Sequence, residues 1–176
     1  MAVSTSLRHR MYAVSDDYFF HVTPLDFMRT KVKATLIPKS ECAYEGNIAP
    51  PIAGETMLHK DISINLAIRM VGMILPYNAV SCNCKHYVDY VAYGRTFGVY
   101  NDLTYLPASL TCPVYNEITD QYQVNSDDFK LKDGNGVHYS PNAPLRLTLG
   151  FRKYITVFQK GCYPWSNPFK KNSNLH

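Results

Sequence analysis

Residues 9–24, HRMYAVSDDYFFHVTP, constrain the fold more than any other stretch of this chain. Two short runs rich in Tyr, Phe and Val, 9–14 and 18–23, flank Ser15-Asp16-Asp17. Asp and Ser side chains hydrogen-bond their own backbone and so favour turns, and Pro24 ends the second run. The expectation is a β-hairpin with His9 on its first strand and His21 on its second. An odd loop over 15–17 sets position 9 opposite 23 and brings both imidazoles to one face, roughly 5–8 Å apart. An even loop puts them on opposite faces.

The hairpin is followed by more strand and then by helix. Lys31–Ile37 alternates Val32, Ala34 and Leu36 with Lys31, Lys33 and Thr35, a half-buried third strand stopped by Pro38. Gly46, Pro50, Pro51 and Gly54 make 39–58 a loop with little regular structure. From Asp61 the pattern is helical, with Asp61 or Ser63 as N-cap. Ile62, Leu66, Ile68, Met70 and Met73 form its apolar stripe, and Pro76 closes the segment. A short extended piece over 77–80 leads to a second helix, Cys84 to Tyr93. Its buried side carries Tyr87, Val88, Val91 and Ala92, and Gly94 is its C-cap. Strand-like runs follow at 97–100, 121–124 and 145–159, and Asp133-Gly134-Asn135-Gly136 is a turn between two strands.

With 176 residues, 46% of them hydrophobic and 18% charged, the chain can build one α+β core. It carries no 18-residue apolar run and no apolar leader, so neither a membrane span nor secretion is expected. Five Cys, an odd number, argue against a disulfide scaffold and for a reducing cytoplasm. Cys42, Cys112 and Cys162 are then small apolar fillers. The net charge of +4 is uneven: residues 134–176 hold six basic residues and no acidic one. Arg146, Arg152, Lys153, Lys160, Lys170 and Lys171, interleaved with Tyr154, Phe158, Tyr163, Trp165 and Phe169, suit contact with RNA or with lipid phosphate at a peripheral membrane surface. The alternative is a strand with a solvated basic face.

Chemistry concentrates on His9, His21 and Cys84. Cys84 begins a helix behind Asn83, where unpaired backbone N–H groups and the helix dipole stabilise a thiolate and lower its pKa. One imidazole then serves as base and the second orients it, while the first-turn amides hold an oxyanion. Cys82, Cys84 and His86 could be read as metal ligands, but they lack a second half-site, and His86 fits a helix-packing or polar contact. No metal or cofactor is expected.

HRMYAVSDDYFFHVTP resembles the H-box of the lecithin:retinol acyltransferase-like family: a His, a strand, a turn, then a second His shortly before Pro. VGMILPYNAVSCNCKHYVDYVAYG resembles its Asn-Cys box, with Val71-Gly72, Tyr77, Asn83-Cys84, His86 and Tyr93-Gly94 at matching positions. The family includes HRAS-like suppressor-type phospholipase A/acyltransferases and the H-box/NC 2A proteins of some picornaviruses. The resemblance covers about 9–95 and implies a circularly permuted NlpC/P60, papain-like fold, with an antiparallel sheet packed on the nucleophile helix. Residues 1–95 then form the catalytic-type core, and 96–176 add basic, aromatic-rich strands and a loose tail to the same domain. Carried over residue by residue, it makes Cys84 the nucleophile, His9 the base and His21 the orienting residue. The implied activity is thiol-dependent acyl transfer or phospholipase A-type ester hydrolysis through an acyl-Cys, with an acyl-lipid substrate and an acyl acceptor. The viral branch offers the alternative of a non-enzymatic protein that binds RNA or host proteins through the basic third. Local departures from the family pattern are Arg10, where an aromatic or small apolar residue is common, Ser15-Asp16-Asp17, which lacks the usual turn Gly, and Lys85, where an acid is usual.

Overall fold

The computed structural model describes residues 9–26, 28–41, 46–47, 51–97, 106–118, 129–140 and 154–157. In chain order the strands are β1 (His9–Ala13), β2 (Tyr18–Pro24), β3 (Lys31–Pro38) and β4 (Gly46–Asn47). Helix α1 (Lys60–Met70), strand β5 (Ile74–Pro76) and helix α2 (Cys84–Tyr93) follow. β6 (Leu131–Lys132), β7 (His138–Tyr139) and β8 (Tyr154–Val157) complete the set. The strand-like segments at 98–100 and 121–124, and most of 145–159, lie outside the described residues, as do Arg146, Arg152, Lys153, Lys160, Lys170 and Lys171.

The hairpin forms because Ser15 folds its turn: Ser15 Oγ accepts the amides of Asp17 and Tyr18 at 3.1 and 3.0 Å. Its register, Tyr12↔Phe20 and Ala13↔Phe19, requires an odd loop. β3 pairs along the whole of β2, from Tyr18↔Pro38 to Pro24↔Val32. The sheet has the order β4-β8-β1-β2-β3-β5, with every described pairing antiparallel. β6 and β7 form a separate ribbon around Asp133, whose carboxylate accepts the amides of Asn135 and Val137 at 2.9 Å each. The molecule is thus a mixed α/β protein built on an antiparallel sheet and two helices.

Two local readings need correction. The loop over 39–58 contains a 3-10 turn at Lys39–Glu41 as well as β4. The first helix does not run to Pro76: it stops at Met70, because Gly72 takes a left-handed φ of 88°. The Gly72 amide donates to the Ala34 carbonyl at 2.9 Å and the Ala34 amide to the Met73 carbonyl at 3.0 Å, so the chain leaves the helix by joining β3. Neither Asp61 nor Ser63 caps this helix. It starts earlier, where the His59 carbonyl accepts the amides of Ile62 and Ser63 at 3.0 and 3.1 Å. Strand alternation sends Tyr12, Val14, Phe20, Val22, Val32 and Ala34 into one apolar cluster with Leu66, Ala67 and Met70 of α1 and Tyr87, Val88 and Val91 of α2. Met11, Ala13 and Phe19, on the other face, are buried as well. Among the described residues no helix is long and apolar enough to cross a membrane.

Candidate active site

The odd loop has the consequence that sequence spacing demands. His9 Nε2 and His21 Nδ1 stand 3.2 Å apart, with the rings edge to face and their centroids at 5.5 Å. His21 Nε2 lies 3.4 Å from Thr23 Oγ1, which is 3.1 Å from Thr35 Oγ1. The chain is consistent with His9 Nε2–H donating to His21 Nδ1, and His21 Nε2–H donating to Thr23. Thr23 and Thr35 are additions that sequence reasoning missed, although the alternation of β2 and β3 sets both on the histidine face.

Burial dominates the electrostatics of the pair. His9 is 9% exposed and His21 4%. Burial, with a smaller contribution from the neighbouring His21, pushes His9 down to about 3, and burial pushes His21 down to about 4. Both rings are therefore neutral at ordinary pH. A neutral imidazole is the form that can accept a proton.

Cys84 is delivered by the start of α2, and the local sequence explains the geometry. Asn83 is the N-cap: its Oδ1 accepts the Lys85 amide at 3.0 Å, and its Nδ2 donates to the Ala79 carbonyl at 2.8 Å. His86 completes the cap, its Nδ1 accepting the Asn83 amide at 3.1 Å while Nε2 donates to the Leu106 carbonyl at 2.9 Å. At the far end Gly94, with φ 76°, donates its amide to the Tyr90 carbonyl at 2.8 Å. His86 thus makes the polar contact expected of it, and the helix is pinned at both termini.

The sulfur meets the sheet where two strands part. The β1–β2 ladder ends at Tyr12↔Phe20, whereas β1 stays paired to β8 as far as His9↔Val157 and β2 to β3 as far as Pro24↔Val32. The backbone amide of Arg10, next to His9 in the chain, hydrogen-bonds the Cys84 sulfur. Alternation puts Arg10, which reaches Asp89 of α2, with Tyr12 on the helix side, and His9 with Met11 on the neighbouring positions of the same strand.

The thiol does not behave as its helix position alone suggests. Cys84 is 7% exposed, and burial pushes its pKa up. Against this act the Arg10 amide and charge, the Lys85 amide and the Cys84 amide. The expected lowering is therefore corrected: removal from water outweighs the helix terminus, and the resting sulfur is a thiol.

Two of the departures from the family pattern, Arg10 and Lys85, share one partner. Lys85 Nζ donates to Asp89 Oδ2 at 2.6 Å, with side chains 6% and 1% exposed, and Arg10 Nη1 lies 3.4 Å from Asp89 Oδ1. This cluster was not read from sequence. Its one visible signal is the i,i+4 spacing of Lys85 and Asp89 on an otherwise aromatic and aliphatic helix.

Cys112 is not a filler, and a disulfide does form: Cys82 and Cys112 are bonded, with Cα atoms 5.4 Å apart. The 106–118 segment returns onto the approach to α2, where the Ser109 amide donates to the Ser81 carbonyl at 2.9 Å and sets the two cysteines face to face. Cys84 keeps a free thiol. Cys42 and Cys162 lie outside the described residues. Comparison of the chain with protein-family models, with curated proteins and with solved structures found no match.

Proposed function

We propose that the protein is a thiol-dependent acyltransferase or phospholipase A-type ester hydrolase of the permuted NlpC/P60, papain-like kind. Cys84 is its nucleophile, His9 its base and His21 the residue that orients His9. The observation that carries this reading is the buried His9–His21 contact at 3.2 Å, set beside the amide that binds the Cys84 sulfur. With His9 Nε2 engaged by His21, Nδ1 is the nitrogen that takes the thiol proton as the sulfur attacks the ester carbonyl. The Cys84 amide at the helix start holds the oxyanion, the Lys85 and His86 amides being taken up by the Asn83 cap, and the His9 imidazolium returns its proton to the departing alkoxide, leaving an acyl-thioester. Water, an alcohol or an amine then attacks the thioester, gives a proton to His9 and restores the thiol. Because both partners rest neutral, proton transfer accompanies attack instead of preceding it. No cofactor takes part, and the reading places the protein in the cytoplasm with an acyl-lipid as donor.

The test is to incubate the purified chain with a short-chain glycerophosphocholine ester and find the acyl mass on the Cys84 peptide. The adduct should be hydroxylamine-labile, absent from Cys84→Ala and strongly reduced in His9→Gln. Turnover that persists in Cys84→Ala, or a wild-type chain that neither turns over nor acylates, rejects the proposal. A second reading, non-enzymatic binding of RNA or a host protein through the basic third, is favoured by the 7% exposure of Cys84 and its raised pKa. It requires RNA retention that falls steeply with salt and weakens when Arg152, Lys153, Lys170 and Lys171 are neutralised.

A further inference from the structure

The residue after the base and the residue after the nucleophile are tied to one carboxylate. Arg10 comes from β1 and Lys85 from α2, and each reaches a different oxygen of Asp89, at 3.4 and 2.6 Å. Asp89 is one helical turn beyond Lys85 and its side chain is 1% exposed. A buried carboxylate needs partners, and here the partners belong to the two elements that must hold sulfur and imidazole in register. The Arg10 amide binds the Cys84 sulfur, so whatever fixes Arg10 also fixes that contact.

We propose that Asp89 is a positioning residue. By holding Arg10 and Lys85 together it clamps α2 onto the histidine strand and sets the charge that the Cys84 sulfur sees. The cluster carries one net positive charge in the wild type. The other titratable groups facing it are His86 and Tyr93 of α2, both of which sense its charges, and the histidine pair follows on β1 and β2, with His9 next to Arg10 in the chain. The inference deepens the acyl-transfer reading and rests on it for its use, but it concerns a thiol that can be followed without any ester.

The experiment measures the alkylation rate of Cys84 against pH by peptide mass spectrometry on the full chain, in wild type, Asp89→Asn and Arg10→Gln. Folding is checked by circular dichroism. Asp89→Asn raises the local charge to two and should move the midpoint down; Arg10→Gln removes the net charge and should move it up. Each shift should be about half a unit to one and a half units, or about three- to thirtyfold in rate below the midpoint. A merely structural clamp would loosen in both variants and move both midpoints down, towards an exposed thiol. Shifts of the same sign, or no shift in either, overturn the proposal. If Arg10→Gln does not fold, Lys85→Gln removes the same charge from the helix side and must likewise move the midpoint up. Opposed shifts in a chain that never acylates keep the clamp and reject the acyl-transfer reading instead.

Discussion

Opening the Cys82–Cys112 bond tests how the approach to the nucleophile is held. The bond spans a sequence separation of 30, and the chain-entropy relation for a loop of that size gives about 3.6 kcal/mol at 25 °C. That is a large share of the 5–15 kcal/mol by which domains of ordinary size are stable, as an order of magnitude. Reductant is the cleaner perturbation, and Cys112→Ala is the genetic one. Because Cys112 is fully buried, alanine adds about 1 kcal/mol of lost packing. With a urea slope of about 2 kcal/mol/M, reduction should lower the unfolding midpoint by roughly 1.5–2 M, read by far-ultraviolet circular dichroism. Reduced wild type and Cys112→Ala should fall within about 0.5 M of each other. In a reducing cytoplasm the chain would be the one measured with reductant. There the 106–118 segment would be held by its hydrogen bonds, among them those of Ser109 to Ser81, His86 to Leu106, Gly134 to Leu110 and Ile118 to Gly94, and by the burial of Ala108 and Val114. A wild-type midpoint indifferent to reductant, together with an unchanged midpoint in Cys112→Ala, would refute the reasoning.

Acid should destabilise the fold through the histidine pair. Both folded values, about 3 for His9 and about 4 for His21, lie below the ordinary 6.5, so the unfolded chain binds protons first. The stability is complete above pH 6.5 and is lost as pH falls towards 4 and then 3, at up to about 1.4 kcal/mol per pH unit for each ring. Thermal melts of wild type and of His21→Gln should converge as pH falls from 7 to 4; parallel curves would show that the rings do not carry the effect. Removing the helix cap with Asn83→Ala frees the Lys85 amide and the Ala79 carbonyl, at a cost of about 1–2 kcal/mol. Asn83→Asp should recover the first bond but not the second, and an Ala variant with wild-type urea midpoint would contradict the assigned cap.

Local features were legible wherever a residue type forces a backbone geometry. Ser15-Asp16-Asp17 marks the turn, and once the register makes its loop odd the common face of His9 and His21 follows. Asn83 and Gly94 bracket α2, and the alternation of β3 gives a strand that Pro38 ends in both sequence and structure. What stayed hidden depends on contacts between segments distant in the chain. Gly72 ends α1 because β3 offers Ala34 as a partner, and periodicity within the helix cannot register that. Cys82 and Cys112 meet through a loop return with no local signature. Arg10 and Asp89 are 79 positions apart, so a buried ion cluster looked like two unrelated departures from a motif. The pKa of Cys84 was misjudged for the same reason: a helix terminus is visible in sequence, whereas the depth at which it is buried is not.

The break in the β1–β2 ladder makes a backbone proton into an observer. A strand amide ordinarily donates to a carbonyl, whose basicity hardly changes during chemistry. The Arg10 amide donates to sulfur, whose electron density changes with every state it passes through: thiol, thiolate, thioester or alkylated product. Its nitrogen and proton resonances therefore record the state of Cys84 directly, in the unmodified protein and without a label. In that sense the strand carries, one residue away from His9, a spectroscopic probe of the sulfur across from it.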